Sequence, residues 1–358
     1  MRIAYLVHLN MDNLTGVFKK VVDQVITWRR LGHEAKLFVV TRNSQVVHSI
    51  NNFFSDAQVS FYDNRSVIDR LKAFSKAVVA VRCFSPDVIY IRRDLFYPQI
   101  YRIALSLPLV VEINSEELLE LKMHSKAQWL YHLFTRPIMD RRVKGMVFVT
   151  QELAQKGYYG RLCLPKCVVG NGIDLERYPA LPVSKSKTPH LLFISSPAVW
   201  HGIDKLMFLA KQFPHWTFHL VGLTSSDVPQ APKNVQLYGR LSLDEYLPIA
   251  AQAHIGIGPL ALHRKGLNEA SPLKVREYLA LGLPVIIGYQ DTDFIGEEPF
   301  ICRIPNTEDN ILTNLEKIER FVLSWMGRRV NREVVTHLDY KIKETKRIAF
   351  FEDIVLKV

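Results

Sequence analysis

The chain has 358 residues, 48% of them hydrophobic and 23% charged, with 17 Gly and 18 Pro. It is too long for one ordinary core and comfortable for two, and its composition excludes disordered, collagen-like and low-complexity proteins. Net charge is +11 and uneven: residues 1–180 hold 25 Lys+Arg against 16 Asp+Glu, and the rest hold 21 against 19, so an anionic partner should meet the first half.

No apolar run approaches the ~18–20 residues a spanning helix needs. The start, Met1–His8, turns polar too early for a signal peptide, so the expectation is a cytoplasmic chain. Cys83, Cys163, Cys167 and Cys302 are too scattered for a disulfide framework, and Cys163 and Cys167 lack a second pair to complete a zinc site.

Taken in order, Ile3–His8 reads as a strand and Val17–Leu31 as a helix that Gly32 stops. Strands follow at Ala35–Val40, Val88–Ile91, Leu109–Ile113 and Met146–Thr150, with helices at Ser66–Cys83 and from Gln151. Helices between strands at this spacing predict parallel βαβ units. Tyr178–Pro189 is rich in Pro, Ser and Lys and reads as a linker.

The alternation then restarts, with strands at His190–Ile194, Thr217–Gly222, Val235–Tyr238, Ile255–Gly258 and Pro284–Gly288. Helices are predicted at Ile203–Gln212, Leu243–Ala251 and Pro272–Leu281, and residues 308–358 look helical and basic. The expected fold class is α/β: two Rossmann-like domains with parallel sheets facing across a cleft. A first domain spans 1–170, a linker 171–189, a second domain 190–320, and a helical segment 321–358 closes onto the first domain.

The most informative stretch is Glu269-Ala-Ser-Pro-Leu-Lys-Val-Arg-Glu277, continuing Tyr-Leu-Ala-Leu-Gly282-Leu-Pro284. Ser271 suits an N-cap, Pro272 the first helical position, and Gly282 with Pro284 a stop. Free amides around Ser271–Lys274 would make an anion site to which Lys274 adds charge, with Glu269 and Glu277 able to contact other parts of one ligand. Read by itself, the stretch favours an ordinary capped helix with solvated charges.

This glutamate pair, with the Tyr-Leu-Ala-Leu-Gly-Leu-Pro-Val run behind it, resembles the signature of family 4 retaining glycosyltransferases of the GT-B fold. Asn171-Gly172-Ile173-Asp174 resembles that family's interdomain motif, and Thr150–Ala154 the strand-to-helix step before it. Trp200-His-Gly-Ile-Asp204 is similar to its first nucleotide-domain loop, and Leu14–Lys20 with Leu31–Glu34 to its first acceptor-domain loop and helix. The resemblance implies that Glu277 holds the ribose of a nucleotide sugar, Glu269 touches the donor sugar, and Ser271 and Leu273 with Lys274 face the diphosphate or sugar. Gly16 would let the first loop approach the donor phosphate, or serve as a simple turn glycine.

Three departures stand out. Thr15 precedes Gly16 where a glycine pair is usual, His201 replaces a lysine, and Asn114 follows Glu112-Ile113 where many members have a histidine. Lys274 is the candidate for the missing charge, with Arg240 second. Asn114 can hydrogen-bond a sugar hydroxyl but cannot act as a base. With no Asp-x-Asp clamp expected after a strand, no essential divalent ion and no cofactor are expected; helix-end amides and Lys/Arg would meet the charge on the leaving nucleotide. Front-face attack is expected, with Glu112 a buried partner and Glu116 a surface charge.

Residues 122–144 carry Lys122, Lys126, Arg136, Arg141, Arg142 and Lys144 against Asp140, interleaved with Trp129, Leu130, Tyr131, Leu133, Phe134, Ile138 and Met139. Such a segment suits an anionic membrane face, or a core helix with one solvated side. With the transferase reading it suggests a glycan or a lipid-diphosphate-linked acceptor. Arg92 and Arg93, beside Tyr90, Phe96 and Tyr97, are acceptor-groove candidates, and no nucleic-acid-binding signature accompanies them. A sugar-nucleotide epimerase and a non-catalytic scaffold of the same fold are the competing readings.

Overall fold

The structure, a computed structural model, describes residues 1–10, 16–63 and 66–357. Leu14 and Thr15 of the first loop fall outside the described residues. Two units emerge: Met1–Val169 together with Tyr340–Val358, and Gly170–Asp339.

The first unit is built on β1 (Arg2–His8), β2 (Glu34–Thr41), β3 (Gln58–Phe61), β4 (Val88–Arg92), β5 (Leu109–Ile113), β6 (Gly145–Phe148) and β7 (Lys166–Val168). They form one sheet in the order β3-β2-β1-β4-β5-β6-β7, parallel throughout. Helices on both faces bury the central strands, which is why these read as unbroken Val/Ile/Leu runs. Edge strand β3 is half exposed and carries no such run, so nothing marked it in the sequence.

The helix Tyr340–Leu356 completes this unit. Its Ile348, Phe351 and Ile354 enter a core shared with Tyr5, Trp28 and Tyr90. Trp28 Nε1 donates to Glu344 at 2.7 Å.

The second unit holds β8 (His190–Ile194), β9 (Thr217–Val221), β10 (Val235–Gly239), β11 (Ile255–Ile257), β12 (Glu269–Ala270), β13 (Val285–Ile287), β14 (Gln290–Asp291) and β15 (Ile301–Arg303). Six of them make a parallel sheet ordered β10-β9-β8-β11-β13-β15, while β12 pairs with β14 alone. The helix Leu315–Ser324 lays Ile318 and Val322 into this core. Residues 171–189 and the turn Arg332–Leu338 also belong to this unit, and the chain rejoins the first only from Tyr340.

Each strand order reverses direction once, between β1 and β4 and between β8 and β11. In open parallel sheets ligands gather outside the carboxyl ends of the strands at such a reversal. Arg92 stands at the end of β4, and His201 and Lys274 meet at Ser195 just past β8.

Candidate active site

In the second unit, β8 delivers Ser195 and, after a short turn, His201, while the helix Leu273–Ala280 delivers Lys274 and Glu277. Lys274 Nζ donates to Ser195 Oγ at 2.9 Å and lies 4.9 Å from the Phe193 ring centroid. His201 Nδ1 sits 2.5 Å from the same hydroxyl and 2.9 Å from the Ser196 carbonyl. A carbonyl only accepts, so Nδ1 bears a proton. Burial first, and the Lys274 charge second, hold His201 down at about 3. Burial also lowers Lys274 to about 7 against the opposing pull of Glu277. His201 therefore brings no cation, and the positive charge beside the Ser195 hydroxyl is that of Lys274. Gly202, with φ +72, begins the next helix in a conformation a side chain would strain.

The helix start differs from expectation by one residue. Pro272 is the N-cap and makes no side-chain cap, whereas Ser271 is buried and engaged elsewhere. Its Oγ accepts from Asn171 N at 2.7 Å and from Arg276 Nη2 at 2.8 Å, and its carbonyl accepts from Asn171 Nδ2 at 2.5 Å. The hydroxyl that would have capped the helix thus anchors the Asn171–Asp174 segment. The first helical hydrogen bonds come from Val275 and Arg276 to Pro272 O, so the Leu273 and Lys274 amides precede the ladder, as an anion site requires.

Arg276, fully buried, organises the rest. Its guanidinium meets Asp291 at 2.5 and 2.8 Å, Asp293 at 2.6 Å, and the Asn171 carbonyl at 3.3 Å. Contrary to expectation, then, an Asp-x-Asp pair does follow a strand, at Asp291-Thr-Asp293, but both carboxylates close on Arg276 in a buried ion pair. Gly170 is needed here by close approach: a Cβ would lie 2.5 Å from Asp293 Oδ2. Among the described residues no group of three or more His, Cys, Asp or Glu is placed to hold a metal.

Glu277 accepts from two tyrosines, Tyr178 on Oε1 at 2.9 Å and Tyr246 on Oε2 at 3.0 Å. Glu269 is half-buried on β12. Arg240 is exposed one residue past β10. Lys274 and His201 meet at Ser195, and Glu277 acts on Lys274 through its charge.

In the first unit, Gly16 opens an exposed helix start at Gly16–Arg30. Asn114 follows β5, and its Oδ1 accepts from Lys20 Nζ at 2.9 Å. Lys20 also lies 2.7 Å from the buried Glu112, which Arg92 approaches at 3.6 Å and Arg347 at 3.7 Å. Burial opposes ionisation of Glu112, yet these three cations hold its carboxyl well below the usual range. Lys20 is a neighbour of Asn114 that sequence reading missed, since the pair lies 94 residues apart.

Arg92 and Arg93 do not act together. Successive strand residues face opposite ways, so Arg92 turns toward Glu112 while Arg93, 6% exposed, pairs with Asp140 at 2.6 Å. A second missed group stands at the carboxyl ends of β1 and β4: His8 Nδ1 meets Asp94 at 2.6 Å and Nε2 meets Tyr62 at 2.9 Å.

The basic segment resolves into helices Glu117–His124 and Lys126–Asp140. Arg136, Met139 and Asp140 turn inward, while Leu130, Phe134 and Ile138 form an exposed apolar row at four-residue spacing, with Phe134 69% exposed. Among the described residues no helix is long and apolar enough to cross a membrane.

No protein-family model and no curated protein matches the chain. Solved structures do match it end to end. A glycosyltransferase from Rickettsia africae ESF-5 superposes with TM-score 0.72 at 12% identity, covering 100% of both chains. HepE from Anabaena, in complex with UDP and glucose, gives 0.70 at 14% identity, covering 99% of this chain and 100% of that one. UDP-GlcNAc 2-epimerase from Neisseria meningitidis, bound to UDP-GlcNAc, gives 0.54 at 13% identity over 100% of each chain. At such identities the likeness speaks to architecture, and the two parallel sheets with the returning C-terminal helix are those of the GT-B fold.

Proposed function

We propose that this protein is a retaining glycosyltransferase that moves a sugar from a nucleotide-sugar donor to a glycan or lipid-linked acceptor in cell-surface polysaccharide biosynthesis. The observation that carries the reading is the placement of Lys274, the Leu273 and Lys274 amides and Glu277 beside the β8–β11 reversal. Together they offer a cation, two unladdered N–H groups and an oriented carboxylate, which suit a diphosphate and a ribose. The glycosyltransferase superpositions, at 0.72 and 0.70, are tighter than the epimerase one at 0.54 and favour transfer over epimerisation.

In this reading the anomeric carbon–oxygen bond to the diphosphate breaks as the acceptor oxygen bonds to the same face. The acceptor proton passes to the departing phosphate oxygen. Lys274 and the helix-start amides stabilise the charge that develops there, in a reaction needing no divalent ion. Glu269 is assigned to the donor sugar, Arg240 to auxiliary charge, and Ser271 to holding the Asn171 segment against the helix. Acceptor recognition is assigned to the first unit, through Asn114 and Arg92, with the buried Lys20 orienting the Asn114 amide. HepE was solved with UDP and with UDP-glucose, so UDP-hexoses are the donors to try first.

The exposed row of Leu130, Phe134 and Ile138, bordered by Lys126, Arg141 and Arg142, is assigned to an anionic membrane surface. Replacing Arg141 and Arg142 with Gln should weaken binding to anionic vesicles by about 30-fold, at roughly 1 kcal/mol per charge. Unchanged binding would place the contact elsewhere.

The deciding experiment incubates the protein with a panel of nucleotide sugars in the presence of EDTA. Slow release of nucleotide supports the transferase. Binding without release supports a scaffold, and interconversion of the sugar an epimerase.

A further inference from the structure

Glu277 is held in an unusual way for a glutamate at a ligand site. Each carboxylate oxygen accepts a hydroxyl from a different tyrosine, at 2.9 and 3.0 Å. The two come from separate parts of the unit. Tyr178 lies four residues past the Asn171–Asp174 motif, with its carbonyl bonded by Arg332. Tyr246 projects from the helix Leu243–Gln252, which a capping box at Ser242 and Glu245 begins. Both rings are buried, so neither hydroxyl swings freely. Burial, and then the nearby Glu277 charge, push the Tyr246 hydroxyl far above its ordinary range, which keeps it a proton donor at every working pH.

A glutamate side chain has three torsions, and ordering such a chain costs roughly 1.5–2 kcal/mol when a ligand must do it. Two hydroxyls bonded to opposite oxygens fix the carboxylate plane before any ligand arrives. A carboxylate offers about four acceptor sites, so it can take one tyrosine and one ligand hydroxyl on each oxygen. The ligand group that matches two oxygens in a fixed plane is a vicinal diol.

We propose that Tyr178 and Tyr246 are positioning residues that aim Glu277 at the ribose 2′,3′-diol, and so set a preference for ribonucleoside over 2′-deoxyribonucleoside diphosphates. The inference rests on reading Glu277 as the ribose contact, and it adds the residues that make that contact selective. A phenylalanine at either position keeps the buried ring and removes only the hydroxyl.

The test measures dissociation constants of UDP, GDP and their 2′-deoxy counterparts by calorimetry. The proteins are the unaltered chain, Tyr178→Phe, Tyr246→Phe, the double variant and Glu277→Ala. The unaltered chain should prefer the ribo form. Each single variant should lower that ratio about 3- to 10-fold, and the double variant should approach Glu277→Ala, while affinity for the deoxy form stays within about twofold. A merely structural tyrosine would weaken both forms alike and leave the ratio unmoved. An unchanged ratio in both single variants, with the ratio lost in Glu277→Ala, overturns the positioning role and leaves the ribose reading intact. An unchanged ratio in Glu277→Ala overturns both. Thermal melts of each variant report folding separately, and the single variants decide should the double variant not fold.

Discussion

The two units each bury a charge centre, and the centres are opposite in sign. In the first unit one carboxylate, Glu112, sits among Lys20, Arg92 and Arg347. In the second, one guanidinium, Arg276, is clasped by Asp291 and Asp293. The first centre joins a helix from the far end of the chain to the sheet, since Arg347 also bonds Glu344 at 2.9 Å and Tyr90 at 3.2 Å. The second closes on aspartates 15 and 17 residues away and, through the Asn171 carbonyl, ties a segment 105 residues away to the helix. The difference also separates the two buried lysines. Glu112, bonded to Lys20, keeps it at about 8 against burial, whereas burial lowers Lys274 to about 7 against the charge of Glu277. Lys20 is bonded to a carboxylate, whereas Lys274 donates to a neutral hydroxyl, Ser195 Oγ.

The comparison breaks first at the centres themselves. Arg276→Met would leave Asp291 and Asp293 without their counter-charge, and should destabilise the second unit by ~3–5 kcal/mol in urea unfolding. Glu112→Gln should cost the first unit less, because Arg92, 20% exposed, can turn to water. An equal or larger loss from Glu112→Gln would show the first centre to be the more tightly closed.

Next comes Lys274. Its replacement by Ala should lower turnover by about 100- to 1000-fold while nucleotide affinity changes by less than about tenfold. An unchanged rate would remove it from the reaction. Lys20→Met, by contrast, should act mainly on stability.

The two lysines can be sharpened by pH. The Lys274 charge is present below about 7 and lost above it. UDP affinity should therefore fall as pH rises from 7 to 9, by less than about tenfold in all, with proton uptake on binding visible as buffer-dependent calorimetric heat. Lys274→Ala should flatten that slope. A slope that survives the substitution would assign it to another group.

The smallest effect concerns three histidines in the second unit. His190 Nδ1 meets His219 Nε2 at 2.8 Å, and His254 Nδ1 accepts from the His190 amide at 3.0 Å. Burial lowers His219 and His254 to about 4, and lowers His190 as well. Because the folded state takes up these protons later than the unfolded chain, stability should be lost as pH falls from about 6.5 toward 4. The melting temperature of the second unit should drop on the order of 5 °C more than that of His254→Gln over the same range.

Much of the architecture was legible from residue pattern. The central strands read correctly because burial on both faces demands unbroken apolar runs, and Gly282 with Pro284 ended a helix for local reasons. Edge strand β3 and the three-residue β15 were not legible, since neither needs such a run. The Glu269–Glu277 stretch stood out through its resemblance to a family signature, since by its spacing alone it reads as an ordinary helix. Its cap did not, because the Ser271 hydroxyl is taken by an amide 100 residues away.

Sequence alone therefore determined the succession of strands and helices and the residue types gathered near position 274, since periodicity, capping and chain breaks act over a few residues. Tertiary structure decided that Arg93 is a strut while Arg92 is partly free, that Asp291 and Asp293 answer Arg276, that His201 is neutral, and that the chain returns to the first unit only from Tyr340. Each of those outcomes depends on burial and on charges brought together from distant parts of the chain, and neither is a property of local order.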